Sequence, residues 1–150
     1  MRASGAIAMN AEHAGEVRIH SETDIVATRR TVRTAATQLG FGLTDVTRIV
    51  TAASELARNV FLYAGSGIMR WQALDTGGRI GIELTFEDCG PGITDVEQAM
   101  EAGYASGGRL GMGLPGAKRL MDEFAIASEI GKGTIVTAKK WHGRLGDSTP

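Results

Sequence analysis

Cysteine occurs once in these 150 residues, at Cys89. That excludes an internal disulfide and a zinc site built from several thiolates. Neither sign of charge dominates, since the formal net charge is −1. A grip on nucleic acid needs a net or local excess of Lys and Arg, so the balance argues against one. The densest basic cluster, Arg29-Arg30 with Arg33, reads as a solvated helix face. No apolar run approaches the roughly 18–20 residues of a membrane span. The N-terminus has no basic region leading into an apolar stretch, so no signal peptide is expected. A cytoplasmic enzyme or regulator fits these absences. The length suits one domain with a real core. Hydrophobic residues at 43% and charged residues at 22% are ordinary for a globular chain.

Glycine is abundant, with 21 residues. Most gather at 65–67, 77–81, 90–92, 103–116 and 131–133. Such clusters between periodic segments mark turns and at least one long loop. Residues 1–15 read as a flexible leader, 16–141 as the folded domain, and 142–150 as a loose tail. Glu16–His20 alternates and reads as a strand. Thr23 or Asp24 can cap a helix to about Leu39, with Gly40 as its stop. Thr44 or Asp45 can cap a second helix to about Tyr63, stopped at Gly65. Its Val46, Ile49, Ala53, Leu56 and Val60 make an apolar stripe. Ile68–Leu74 and Arg79–Glu87 read as strands around a Gly77-Gly78 turn. A short helix is expected over 95–101, then a loop over 103–113. Pro115 suits the first turn of a helix to Phe124. Ala125–Ile130 and Thr134–Trp141 close the chain as a hairpin around 131–133. The order predicts an α+β two-layer sandwich, with helices on one face of a mixed, mostly antiparallel sheet.

Four places can carry chemistry. Glu55 and Asn59 lie one turn apart, off the apolar stripe, and small Ala52 leaves room beside them. Such a pair can act on a phosphate, the amide oxygen ligating magnesium and the carboxylate orienting or deprotonating a nucleophile. It can equally be a solvated face. Ile80, Ile82, Leu84 and Phe86 share a parity that Asp88 continues, so its carboxylate points to the core side beside Gly90-Pro91-Gly92. A buried acid needs a donor. The exocyclic amine of adenine is one, and guanine, with a carbonyl there, would be refused. Alternatively Asp88 caps its own turn. The literal G-x-G-x-x-G of Gly111–Gly116 follows no strand, so it is not a dinucleotide fingerprint, and no P-loop sequence occurs. What remains is a glycine loop presenting backbone N–H groups at a helix start, in which Arg109 can meet a terminal phosphate. Thr134 offers a hydroxyl at the start of the last strand, or simply a β-branched strand residue. Lys118 and Arg119 read as a solvated face, Cys89 as incidental packing, and His13, His20 and His142 lie outside these motifs.

In this order the motifs resemble those of the GHKL ATPases, with their Bergerat nucleotide fold. Glu55 and Asn59 match the N box. Asp88, Gly90 and Gly92 match the G1 motif. Gly111, Gly113 and Leu114, in the loop that also holds the candidate phosphate contacts Gly108 and Arg109, match the G2 motif at the end of the ATP lid, and Gly133-Thr134 the final glycine–threonine pair. The chain has no room for the transducer domain of gyrase B, Hsp90 or MutL, nor for the phosphoacceptor helices of a histidine kinase. The expectation therefore narrows to the single-domain serine/threonine kinases of bacterial partner switching, in particular the RsbT-type switch kinases. Ser54–Asn59, Gly111–Phe124 and Lys140-Trp141 are similar to them. Anti-sigma-factor kinases usually carry a basic or imidazole side chain a turn after the asparagine, where Tyr63 stands here.

The resemblance implies that Asn59 ligates Mg²⁺, that Glu55 is the general base on a serine or threonine hydroxyl, and that Asp88 binds the adenine of ATP. The lid would close over the phosphates. The implied partners are STAS-domain scaffold and antagonist proteins (RsbS and RsbR kinds) of the stressosome. After release, the kinase would activate a PP2C-type phosphatase (RsbU kind). The rival expectations are an anti-sigma-factor kinase, a non-catalytic ATP-gated binding module and a detached histidine-kinase domain.

Overall fold

A computed structural model describes residues 13–92, 100 and 113–142. In chain order these form β1 (Ala14–Ile19), α1 (Glu22–Gln38), α2 (Leu43–Ala64), β2 (Gly67–Thr76), β3 (Arg79–Asp88), α3 (Gly113–Leu120), β4 (Glu123–Glu129) and β5 (Gly133–Trp141). The succession is the expected one. The helix over 95–101, apart from Met100, and the loop through 112 lie outside the described residues.

The long helices begin before their expected caps. Ser21, in extended conformation, is the N-cap of α1. Asp24 lies inside the first turn and reaches back, its Oδ2 accepting from the His20 N–H and the Ser21 hydroxyl at 3.0 Å each. One carboxylate thus ties the residue before the N-cap and the N-cap hydroxyl to the first turn, where its charge is favoured. Gly42 is the N-cap of α2. Asp45 is already helical and pairs with Arg48 at 3.0 Å, its charge favoured near the helix N-terminus. Both helices end as expected, at Gly40 (φ 92°) and Gly65 (φ 83°), in a backbone region that glycine enters without penalty.

The five strands lie in the order β1-β2-β3-β5-β4. Every neighbouring pair is antiparallel, which corrects the expectation of a mixed sheet. The α3 crossover does leave β3 and β4 running the same way, but β5 inserts between them. Helix α3 ends at Leu120, not Phe124. The Asp122 N–H already donates to the Lys139 carbonyl at 2.8 Å, and the Trp141 N–H to Asp122 Oδ2 at 2.8 Å. The turn into β4 is thus bound to the sheet before Phe124.

One face of the sheet is apolar. Ile19, Met69, Trp71, Ile82, Leu84, Phe86, Val136 and Ala138 are buried there, in one cluster with the inner faces of α1, α2 and α3. The opposite face is polar and cross-linked, with Arg70 on Glu87 at 2.9 Å and Gln72 on Glu83 at 2.9 Å. The predicted α2 stripe is buried, and so are Val50, Ala52 and Ala57. Helix α2 packs against α1, the sheet and α3 at once, so its buried arc is wider than one stripe. Ala52 is fully buried.

Candidate functional site

The site lies where the end of α2 meets the end of β3. Asp88 is the last residue of β3, and its register partners are Gly67 on β2 and Thr134 on β5. The three share the helix-covered face, at the edge of the apolar layer that Phe86 and Val136 close. Strand parity had placed Asp88 on this side, and the pairing places it there. Its Oδ1 accepts the Gly90 N–H at 2.9 Å. The carboxylate therefore does cap its own turn, and Oδ2 keeps its lone pairs for another donor.

Close backbone approaches hold this corner. A Cβ on Gly67 would lie 2.7 Å from Val60 Cγ1 and 3.2 Å from Asp88 Cβ, and one on Gly90 would lie 2.6 Å from Ala64 Cβ. Val60 directly follows Asn59, so these contacts set the end of α2 beside Asp88. The Gly131 N–H donates to the Pro91 carbonyl at 2.9 Å. Gly133, at φ 113°, lies against the Asp88 carbonyl where a Cβ has no space. Glycine at 67, 90 and 133 thus lets the backbone close around one carboxylate.

Glu55 and Asn59 are half-buried, one turn apart on α2. Glu55 is 15% exposed at its side chain, and its Oε2 pairs with Arg58 at 3.3 Å. Among the described residues the Asn59 amide has no hydrogen-bond partner. A half-buried amide without a partner suits a ligand that brings its own polar atoms. Among the described residues no group of three His, Cys, Asp or Glu could hold a metal ion. A divalent cation here would rest on the Asn59 amide oxygen and on the oxygens of a bound phosphate, a donor set that suits magnesium. The fit to an adenine nucleotide rests on the free Asp88 oxygen, that amide, and glycine backbone with no side chain in the way.

The remaining candidates divide. Gly92, at φ 84°, packs on the Glu129 carbonyl. Gly113 (φ 52°) opens α3, and the Leu114 side chain is in the core, so only its backbone can face a ligand. Gly108, Arg109 and Gly111 lie outside the described residues. Lys118 and Arg119 are exposed at the far end of α3. Cys89 is exposed.

One residue escaped the sequence reading. Ser128 pairs with Thr134 across β4 and β5, with 2.8 Å between the hydroxyl oxygens. Its signal was present: it continues the parity of Phe124 and Ile126, so a polar side chain stands in a core-facing position.

The chain matches the model of the histidine kinase-like ATPase domain over residues 20–140. It is 51% identical over 125 residues to the serine/threonine-protein kinase RsbT of Bacillus subtilis (strain 168), covering 83% of this chain and 94% of that one. It is 35% identical over 136 residues to an anti-sigma F factor of Caldanaerobacter subterraneus subsp. tengcongensis, covering 86% and 94%. Among solved structures, that of the RsbU and RsbW domains of Rv1364c from Mycobacterium tuberculosis superimposes with a TM-score of 0.51 at 19% identity. The chain spans 85% of its own length there and 32% of that protein's, a likeness of fold alone. The chain belongs to the histidine kinase-like ATPase domain family, and within it to the protein kinases.

Proposed function

We propose that this kinase transfers the γ-phosphoryl group of ATP to a serine or threonine of a STAS-domain partner in a bacterial partner switch, in the stressosome setting. When released, it engages and activates a PP2C-type phosphatase. The observation that carries the site reading is the Asp88 carboxylate, tied to the Gly90 N–H through one oxygen and open through the other, beside Thr134 and the end of α2. Asp88 accepts the adenine amine. The Asn59 amide holds the magnesium ion that neutralises the phosphates. Glu55 receives the proton of the acceptor hydroxyl as the oxygen–phosphorus bond forms and the bond to the β-phosphate oxygen breaks, releasing ADP. Arg58 keeps one Glu55 oxygen in place, so the other accepts. Phosphoryl transfer needs mainly positioning and charge neutralisation, so one acid, one cation and a ring of N–H groups suffice. The backbone N–H groups of Gly92, Gly113 and Leu114 supply that ring.

The test is incubation with MgATP and a STAS-domain protein, followed by mass spectrometry of both. Acid-stable phosphoserine or phosphothreonine on the partner is expected, and Glu55→Ala should abolish it while sparing ATP binding. Transfer that persists in this variant overturns the base assignment. A second reading is capture of a sigma factor, favoured by the anti-sigma F relatives. It predicts tight sigma binding that survives loss of Glu55.

A further inference from the structure

Helix α2 carries a second row besides its core stripe. Arg48, Thr51, Glu55, Arg58 and Leu62 recur every three or four residues on the side turned away from Val46, Ile49, Leu56 and Val60, and none of the five is buried. Leu62 lies about 20° around the helix from Glu55 and about 10 Å along it. It is 50% exposed. Arg48 is taken up by Asp45 at 3.0 Å. Arg58 is not used up. Its Nη1 meets Glu55 Oε2 at 3.3 Å, and among the described residues the rest of its guanidinium has no partner.

With Glu55 as the base, a hydroxyl that gives up its proton must come down onto this row. Whatever carries that hydroxyl therefore covers Arg58, one turn from Glu55, and Leu62, two turns from it. A guanidinium with free donors beside the acceptor suits a carboxylate. Leu62 suits an apolar side chain that takes it out of water. A small alcohol could reach Glu55 but would not span the roughly 10 Å to Leu62, so the row fits a protein. We infer that the outward row of α2 docks the acceptor protein, with Leu62 as its apolar anchor and Arg58 pairing with a carboxylate near the acceptor hydroxyl. These two residues select the substrate beyond its serine or threonine. The inference rests on the reading of Glu55 as general base.

The experiment measures phosphoryl transfer from MgATP to a STAS-domain protein over a range of that protein's concentration, for the full chain and its variants. Leu62→Gln keeps the length and helix propensity of leucine and removes its apolar surface. It should raise the KM for the STAS-domain protein about five- to tenfold, the worth of burying the exposed half of a leucine, with kcat and the ATP dissociation constant unchanged. Leu62→Met should restore the wild-type KM. Leu43 is 83% exposed at the other end of the same helix, about 120° around from Glu55, so Leu43→Gln should leave the KM unmoved. Raising the salt from about 0.05 to about 0.5 M should raise the wild-type KM, and raise it less in Arg58→Gln, because salt screens an exposed charge pair. An unmoved KM in Leu62→Gln, or equal rises in Leu62→Gln and Leu43→Gln, overturns the anchor. An unmoved KM in a Leu62→Gln chain that has lost self-association assigns the row to a second copy instead. Equal salt dependence in the wild type and Arg58→Gln overturns the carboxylate. A wild type that transfers nothing to the STAS-domain protein, or transfer that survives Glu55→Ala, overturns the reading beneath the inference, a result distinct from an unmoved KM.

Discussion

Gly90 rests on the end of helix α2: a methyl group placed on it would lie 2.6 Å from the Ala64 Cβ and 2.9 Å from the Ala64 Cα. The helix that carries Glu55 and Asn59 and the turn that follows Asp88 are thereby held in register by backbone contact, with no side chain to yield.

Gly90→Ala should therefore act on the site. Overpacking against backbone costs about 1–3 kcal/mol, because Ala64 cannot swing aside. Moving the turn also takes the Gly90 N–H from Asp88 Oδ1. Denaturant melts should show the loss of stability, and titration should show weaker ATP binding. Wild-type affinity in a destabilised variant would separate the turn from the site.

Gly133→Ala should be worse than Gly78→Ala. Both glycines have positive φ, 113° and 86°, and alanine pays for that conformation at either place, roughly 1–2 kcal/mol. Gly78 has open space around it, whereas Gly133 abuts the Asp88 backbone. Thermal melts of the two variants should differ clearly, with Gly133→Ala lower. Equal melting temperatures would contradict the close approach.

Arg58→Gln should reduce turnover more than nucleotide binding. The guanidinium pairs with Glu55 at 3.3 Å and is partly exposed, so the tie is worth only about 0.2–1 kcal/mol. That corresponds to a loss of up to about fivefold in kcat, with the ATP dissociation constant unchanged. A change confined to ATP affinity would place Arg58 on the nucleotide instead.

Asp24 should give α1 an acid-sensitive start. The His20 N–H, and then the Ser21 hydroxyl, hold its carboxyl below the ordinary aspartate value of 3.8. A carboxyl depressed in the folded state stabilises the fold above its unfolded pKa, and that contribution disappears as pH falls through the lower folded value. Chemical melts between pH 6 and pH 2.5, given as about the range that brackets these values, should show the wild type losing stability on acidification. Asp24→Asn should be less stable at the upper end and show a shallower decline. Parallel curves would remove Asp24 from the acid response.

Lys140 should be a fold residue. Its buried ammonium donates to the Leu120 carbonyl at 3.0 Å and to Asp122 at 3.4 Å, with Asp45 at 3.9 Å. It therefore joins the end of α3, the turn into β4 and the start of α2. Lys140→Met keeps the stem but removes these donors, and should cost about 1–3 kcal/mol. An unchanged denaturation midpoint would argue against that tie.

The elements and their faces were legible in the sequence because they rest on local periods. Val46, Ile49, Ala53, Leu56 and Val60 repeat as a helix must. Ile82, Leu84 and Phe86 alternate as a strand must, and Asp88 inherits their side. Gly40, Gly65 and the Gly77-Gly78 turn mark stops that few other residues allow. The caps were displaced because Asp24 and Asp45 act from within the first turn, where a favourable charge resembles a cap by sequence alone.

Pairing across the sheet is a different quantity, set by contacts between segments far apart in the chain. No local period places β5 between β3 and β4, which makes every neighbour antiparallel and brings Thr134 opposite Asp88. Nor does one say that Ser128 completes that row, that Gly133 is spared a side chain for the sake of the Asp88 carbonyl, or that Ala52 is covered. The sequence by itself determined which side of α2 carries Glu55 and Asn59 and which side of β3 carries Asp88. The tertiary structure decided that Asp88, Thr134 and Ser128 form one polar row at the end of the core beside α2, because register and packing, not propensity, fix distances between strands.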